Sequence, residues 1–196
     1  MTRLRTAILI SGRGSNMQAI LDAARAETYP ADPILILTNR PDAAGLTLAD
    51  TYGVATALVD HKPYGNDREG FERAMQAVLQ EHHIEMVVLA GFMRILTPWF
   101  VHQWSMRMIN IHPSLLPKYP GLQTHQRAID AGDSEAGCSV HWVTEGVDEG
   151  DVIAQARVPL LPNDTAETLA ARILPEEHAL YPVAVERAAL DILQRP

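Results

Sequence analysis

A chain of 196 residues, 47% hydrophobic and 20% charged, has the length and balance of one globular domain spanning 1–196, able to bury a core without staples. Its formal charge of −8 argues against a general nucleic-acid binder, so an anionic substrate would need a local positive site. Cys138 is the single cysteine, which rules out an intramolecular disulfide and suits a cytoplasmic setting, with a reactive thiol as an alternative that nothing else in the sequence supports.

Residues 1–5 lack the apolar stretch of a signal peptide, and no run approaches the roughly 18 apolar residues of a membrane span. Residues 6–10 then form a short apolar run, read as a buried strand. Ser11-Gly12-Arg13-Gly14-Ser15-Asn16 follows, and residues 17–24 have helical spacing. Strand, glycine turn and helix is the order that points free N–H groups of a helix start at an anion. The turn lacks the third glycine of a dinucleotide fingerprint and the Gly-Lys-Ser/Thr of a Walker loop. Taken alone, it is either a tight connection or a phosphate cradle.

Strands are expected at 33–38, 54–59, 86–90 and 106–111, with helices at 43–52, 67–81 and 99–103. Thr97 and Pro98 supply the cap and first position of the last of these helices. Beyond a loop at 113–117, a helix is expected at 124–131, and strands at 136–143 and 152–158 flank an acidic, glycine-bearing connection at 144–150. That connection is either a plain hairpin or a loop that reaches a site. Asn163, Asp164 and Thr165 precede a helical region to about residue 194, where Pro175 should cause a kink or a restart. Strands alternating with helices predict an α/β fold with a doubly wound, mostly parallel sheet and helices on both faces.

The chemistry gathers at 108–117, Met-Ile-Asn-Ile-His-Pro-Ser-Leu-Leu-Pro. Asn110 and His112 are two residues apart, so in a strand both project from one face. An amide and an imidazole at a strand's carboxyl end could place two donors on one developing oxyanion, and the imidazole could move protons near neutral pH. Such a pair also often does no more than satisfy nearby backbone. Pro113 ends the ladder for want of an N–H. Pro113 and Pro117 around Ser-Leu-Leu suggest a constrained turn in which an X-Pro bond can be cis, and the cis bond expected at Leu116-Pro117 rests also on the family that this stretch resembles.

Asn-Ile-His-Pro-Ser-Leu-Leu-Pro followed by Lys118-Tyr119-Pro120-Gly121 resembles the signature of the folate-dependent formyltransferases. The resemblance covers nearly the whole chain, with the pieces in the family's order, and it implies the Rossmann-like fold of that family. Gly14, Ser15 and Asn16 resemble the phosphate loop of the branch acting on a glycinamide ribotide. Leu89-Ala90-Gly91-Phe92-Met93-Arg94-Ile95-Leu96 resembles the folate-binding segment. The implied reaction carries the formyl group of 10-formyltetrahydrofolate to the amine of phosphoribosylglycinamide, in purine synthesis. Asn110, His112 and Asp148 fall on the family's catalytic positions, with Asp148 expected to favour the charged imidazole and fix its tautomer. Gly14, Ser15, Asn16 and Glu177 would hold the ribotide, while Arg68, Met93, Arg94, Ile95, Leu96 and Asn110 would hold the folate. Ser139 and His141 would support the site, and Glu177 or Arg68 could equally be solvated helix charges.

The same resemblance implies a cytoplasmic monomer or homodimer with small-molecule substrates, no nucleic-acid or membrane partner and no metal. Gln123 and Pro175 depart from the family's habit. A methionyl-tRNA formyltransferase would normally carry a further basic domain, and a formyltetrahydrofolate hydrolase a regulatory one. From other classes, His112, His125, His141 and Asp148 could bind zinc, although no His-Glu-x-x-His or paired-cysteine spacing occurs. A non-catalytic nucleotide-binding module is the remaining alternative.

Overall fold

In a computed structural model that describes residues 2–195, the chain alternates strand and helix as the apolar runs predict. The elements are β1 (Leu4–Ile10), α1 (Ser15–Ala23), β2 (Ala31–Thr38), α2 (Gly45–Thr51), β3 (Ala55–Leu58), α3 (Arg68–Glu81), β4 (Met86–Leu89), α4 (Pro98–Gln103) and β5 (Met108–His112). They continue as α5 (Thr124–Asp130), β6 (Glu135–Trp142), β7 (Val152–Pro159) and α6 (Ala166–Gln194). All seven strands form one sheet in the order β3-β2-β1-β4-β5-β6-β7. The first five run parallel, while β6 and β7 are antiparallel additions.

Side-chain alternation divides the core between the two faces. Ile8, Ile10, Ile36, Val88, Ile109 and Ile111 pack with Met17 and Ile20 of α1 and with Tyr181, Val185 and Ala188 of α6. Ala7, Leu9, Leu35, Leu37, Val87, Leu89 and Met108 pack with Phe71, Met75 and Leu79 of α3 and with Phe100 and Val101 of α4. Helices therefore cover both faces, as a sheet whose central strands are apolar throughout requires.

The C-terminal helix rules out one of the two expectations for Pro175. Pro175 starts no new helix: α6 is one element of 29 residues with Pro175 and Pro182 inside it. Its start is fixed by a reciprocal cap, the Thr165 hydroxyl accepting from the Thr168 amide and the Thr168 hydroxyl from the Thr165 amide. Leu169 and Ile173 before Pro175, and Tyr181 and Val185 after it, are all buried, so packing along the whole helix outweighs the local cost of the prolines. The central strand also begins two residues later than expected, because Met106 takes a left-handed φ of 55° that no strand residue adopts.

Candidate active site

β5 carries the centre of the site. Its period of two sends Met108, Asn110 and His112 toward the face covered by α3 and α4, and Met108 fills that core. Pairing with β6 sets Asn110 opposite His141 and His112 opposite Ser139. The Asn110 Nδ2 lies 3.3 Å from His141 Nε2, and His141 Nδ1 lies 2.9 Å from the Trp142 carbonyl. That carbonyl accepts from Nδ1–H. Asp148 Oδ1 stands 3.4 Å from Nε2, within reach of a hydrogen bond from the ring.

Asp148 arrives on the β6–β7 connection with a left-handed φ of 57°. The connection is therefore a loop that reaches the strand end, rather than a plain hairpin turn. Asp148 Oδ2 is 3.2 Å from His112 Nδ1 and accepts from the Gly121 amide at 2.9 Å. The other ring nitrogen of His112, Nε2, is 2.9 Å from the Tyr119 carbonyl. Both nitrogens of a buried imidazole thus face oxygen, and only the doubly protonated ring can donate to both. Burial of Asp148 works to raise its pKa, but the hydrogen bonds from His141 and the Gly121 amide, with the charges of His112 and His141, hold it below the usual carboxylate range. The aspartate is ionised throughout the neutral range.

The turn after β5 is held from below. Leu116-Pro117 is cis, as expected. The Ser139 hydroxyl donates to the Ser114 carbonyl at 2.6 Å and accepts from the Leu116 amide at 3.0 Å. Gln155 on β7 donates to the Leu116 carbonyl at 2.9 Å. Ser139 therefore shapes the turn that presents the Tyr119 carbonyl and Gly121 amide. Gln123 takes a left-handed φ of 57° just before α5, a position that Asn tolerates better.

The glycine turn lies at the start of α1. Gly14 caps the helix at φ 77°, and no side chain fills the cap. First-turn N–H groups are therefore open to an anion. The turn is packed against α2: Gly45 donates to the Gly12 carbonyl at 3.0 Å, and a Cβ on Gly14 would come within 3.1 Å of Gly45 Cα. Asn16 Nδ2 donates to Glu177 Oε2 at 2.7 Å, which joins α1 to α6 and leaves the buried Asn16 Oδ1 without a partner. Burial pushes the Glu177 carboxyl up, and the Asn16 amide offsets part of that rise.

Glu177 therefore carries a testable cost. Its folded pKa lies above the unfolded value, so its contribution to stability is fully present below the usual carboxylate range and is lost as pH rises through the raised value. Glu177→Gln should match the wild-type melting temperature near about pH 4 and exceed it near about pH 8. Thermal unfolding at the two pH values checks this, and equal shifts at both would place the carboxylate outside the buried site.

The segment after β4 is held at alternate residues. Ser11 donates its amide to the Gly91 carbonyl at 3.1 Å, and its hydroxyl accepts from the Met93 amide at 2.8 Å. Arg68 donates to the Ile95 carbonyl, and Glu72 accepts from the Thr97 amide at 2.7 Å. Among the described residues, no hydrogen bond ends on the main chain of Arg94 or Leu96. The Arg94 guanidinium lies 5.5 Å from the Phe71 ring centre, while Met93 is 76% and Ile95 67% exposed. A flat polar ring could bond the open main chain and rest against these apolar side chains.

Several contributors are hidden from sequence. Tyr119 and Gly121 act through main-chain atoms, and the only sign of them is the turn-like run before α5. Leu122 and Val147, beside the Gly121–Asp148 contact, are 84% and 48% exposed. Cys138 corrects the reactive-thiol alternative: it is free and fully buried, and burial pushes its thiol up to about 12. Among the described residues, no group of three His, Cys, Asp or Glu side chains is placed to hold a metal ion, and no helix is long and apolar enough to cross a membrane.

An open α/β sheet whose central strand ends in an amide, an imidazole and a loop carboxylate defines the class. The chain belongs to the formyl transferase family, whose profile matches residues 4–185. It is 44% identical to phosphoribosylglycinamide formyltransferase of Escherichia coli (strain K12), over 91% of this chain and 84% of that protein. The crystal structure of phosphoribosylglycinamide formyltransferase from Brucella melitensis superposes with a TM-score of 0.90 at 48% identity, covering 96% of each chain. A trifunctional purine biosynthetic protein, adenosine-3 of Drosophila melanogaster, is 45% identical over 93% of this chain, which spans 14% of the length of that relative.

Proposed function

We propose that this protein transfers the formyl group of 10-formyltetrahydrofolate to the amine of 5'-phosphoribosylglycinamide, giving formylglycinamide ribonucleotide and tetrahydrofolate in purine synthesis. The observation that carries the reading is the chain of contacts Asn110–His141–Asp148–His112 at the end of β5, in a chain 44% identical to a phosphoribosylglycinamide formyltransferase. The ribotide phosphate rests on Gly14, Ser15 and Asn16, where the uncapped start of α1 supplies N–H groups in an otherwise acidic protein. Glu177 takes the ribose or the amine. The folate ring lies along residues 93–96, with Arg68 fixing the segment, in keeping with the open main chain of Arg94 and Leu96.

The amine attacks the formyl carbon, and the formyl oxygen becomes an oxyanion. Asn110 Nδ2 and the His112 Nε2–H donate to it, the substrate oxygen displacing the Tyr119 carbonyl from that proton. His112 then delivers a proton toward the folate nitrogen as the bond from the tetrahedral carbon to that nitrogen breaks, and the proton shed by the attacking amine returns to the ring. Asp148 orients the ring, and His141 and Ser139 support the two ends of the arrangement. No nucleophilic side chain is needed, which agrees with a buried, protonated Cys138. A cytoplasmic monomer or homodimer, with no nucleic-acid or membrane partner, completes the reading.

The test is to supply purified protein with 10-formyltetrahydrofolate and, in turn, phosphoribosylglycinamide, methionyl-tRNA or water alone, with and without a chelator. Tetrahydrofolate should appear only with the ribotide, at a rate the chelator leaves unchanged. Release with tRNA or water, or loss on chelation, would replace this reading with a sister activity or a metal enzyme. For the phosphate loop, Gly14→Val puts a side chain at positive φ and against Gly45, so the KM for the ribotide should rise about tenfold or more, with that for folate nearly unchanged. Equal effects on both substrates would move the phosphate elsewhere.

A further inference from the structure

Glu72, on α3, is 1% exposed, and it is the one aspartate or glutamate among the buried residues described. No lysine, arginine or histidine lies within ion-pair distance of it among the described residues. A buried carboxyl without a cation is costly, and such a group keeps its place only when neutral donors satisfy it. Both of its oxygens find those donors on a single residue: Oε1 accepts from the Thr97 amide at 2.7 Å, and Oε2 accepts from the Thr97 hydroxyl. Thr97 is the cap residue of α4, yet its hydroxyl turns away from the helix to reach Glu72, and no side chain caps α4. Ordinary capping would have had Thr97 accept from its own first turn. Here the residue is used to hold the end of the segment that precedes it.

The other fixed points lie on the same stretch. Arg68 is one helical turn before Glu72 on α3, so both side chains share a face and meet residues 95 and 97. Ser11 holds Gly91 and Met93 from the other side. Fixing residues 91, 93, 95 and 97 leaves Arg94 and Leu96 with unpaired main-chain groups. Of the holding groups, Glu72 is buried and makes two bonds to one residue, whereas Arg68 is an exposed guanidinium making one.

We propose that Glu72 is a positioning residue for the formyl donor: its grip on Thr97 fixes the main chain of residues 94–96 in the geometry that receives the folate ring. The inference rests on the functional reading above, since it takes residues 93–96 as the folate site. Glu72 itself touches no substrate. Its loss should therefore be felt as a fault in folate binding and not in ribotide binding.

The decisive variant is Glu72→Met, which keeps most of the volume and removes both acceptors. With wild-type protein as the reference, the KM for 10-formyltetrahydrofolate should rise about tenfold, while the KM for phosphoribosylglycinamide stays within about twofold. Glu72→Gln should recover most of the loss, because its oxygen can accept from the Thr97 amide and its nitrogen can donate to the Thr97 hydroxyl. A purely structural role would lower the amount of folded protein without splitting the two KM values. Should Glu72→Met fail to fold, Thr97→Val removes one of the two bonds and should raise the folate KM alone, by about threefold. An unchanged folate KM in a folded variant, or equal rises for both substrates, overturns the positioning role while leaving the function intact. Wild-type protein that transfers no formyl group overturns the functional reading, and this inference with it.

Discussion

Asn110→Ala and His112→Ala should each lower kcat by about a hundred- to a thousandfold, with little change in either KM. The reason is geometric. Both side chains stand at the end of β5, and in the proposed reaction they donate to an oxyanion that forms only as the amine attacks, so their bonds would strengthen in the transition state more than in the ground state. The Asn110 carboxamide nitrogen stands 3.3 Å from His141 Nε2 across the β5–β6 pair. The double variant should lose less than the product of the two single losses, because the donors act on one atom. Circular dichroism should confirm that each variant folds. A folded single variant retaining more than about a tenth of the wild-type kcat would remove that residue from the oxyanion site.

Asp148→Asn should cost about a hundredfold or more in kcat, by taking the orienting charge from two imidazoles at once. Asp148 reaches His112 through one oxygen and His141 through the other, and it also accepts from Gly121. An asparagine offers one accepting oxygen and one donating nitrogen for these three partners. Its nitrogen, which cannot accept, would face one of the two imidazoles. The effect on stability has a definite sign. Burial pushes the Asp148 pKa up, but the bonds from His141 and Gly121 and the neighbouring imidazole charges leave it depressed. Its stabilising contribution is thus present above the usual carboxylate range and is lost as pH falls through the depressed value. Wild-type protein should exceed Asp148→Asn in melting temperature near neutral pH, with the gap closing below about pH 4. A folded variant with unchanged kcat would return the 144–150 loop to a plain connection.

The pattern Asn-x-His in a strand placed two donors on one face, because strand periodicity is a local property that sequence carries directly. The parallel order of the first strands and the two-sided core follow in the same way from apolar runs broken by glycine turns and helical spacing. His141 was legible only through resemblance, since its contact with Asn110 depends on the register between β5 and β6. The Tyr119 carbonyl and Gly121 amide showed only as part of a turn-like run, because main-chain donors and acceptors leave no residue type behind. Glu72 is indistinguishable in sequence from any other charge on an amphipathic helix, because nothing local says that Thr97 will sit above it. Pro175 suggested a restart for the converse reason. Its local penalty is plain in sequence, whereas Leu169, Ile173, Tyr181 and Val185, which keep α6 in one piece, act only once the core has formed.

Direct transfer at the end of β5 is tested most sharply by following the formyl carbon in a single turnover. Protein in excess over 10-formyltetrahydrofolate labelled in the formyl group is mixed with phosphoribosylglycinamide, quenched in acid, and separated into protein, folate, formate and ribotide. The label should pass from folate to ribotide with none on protein at any time, and without ribotide it should remain on the folate. Label bound to protein, or formate released in place of formylated ribotide, would contradict direct attack at Asn110, His112 and Asp148.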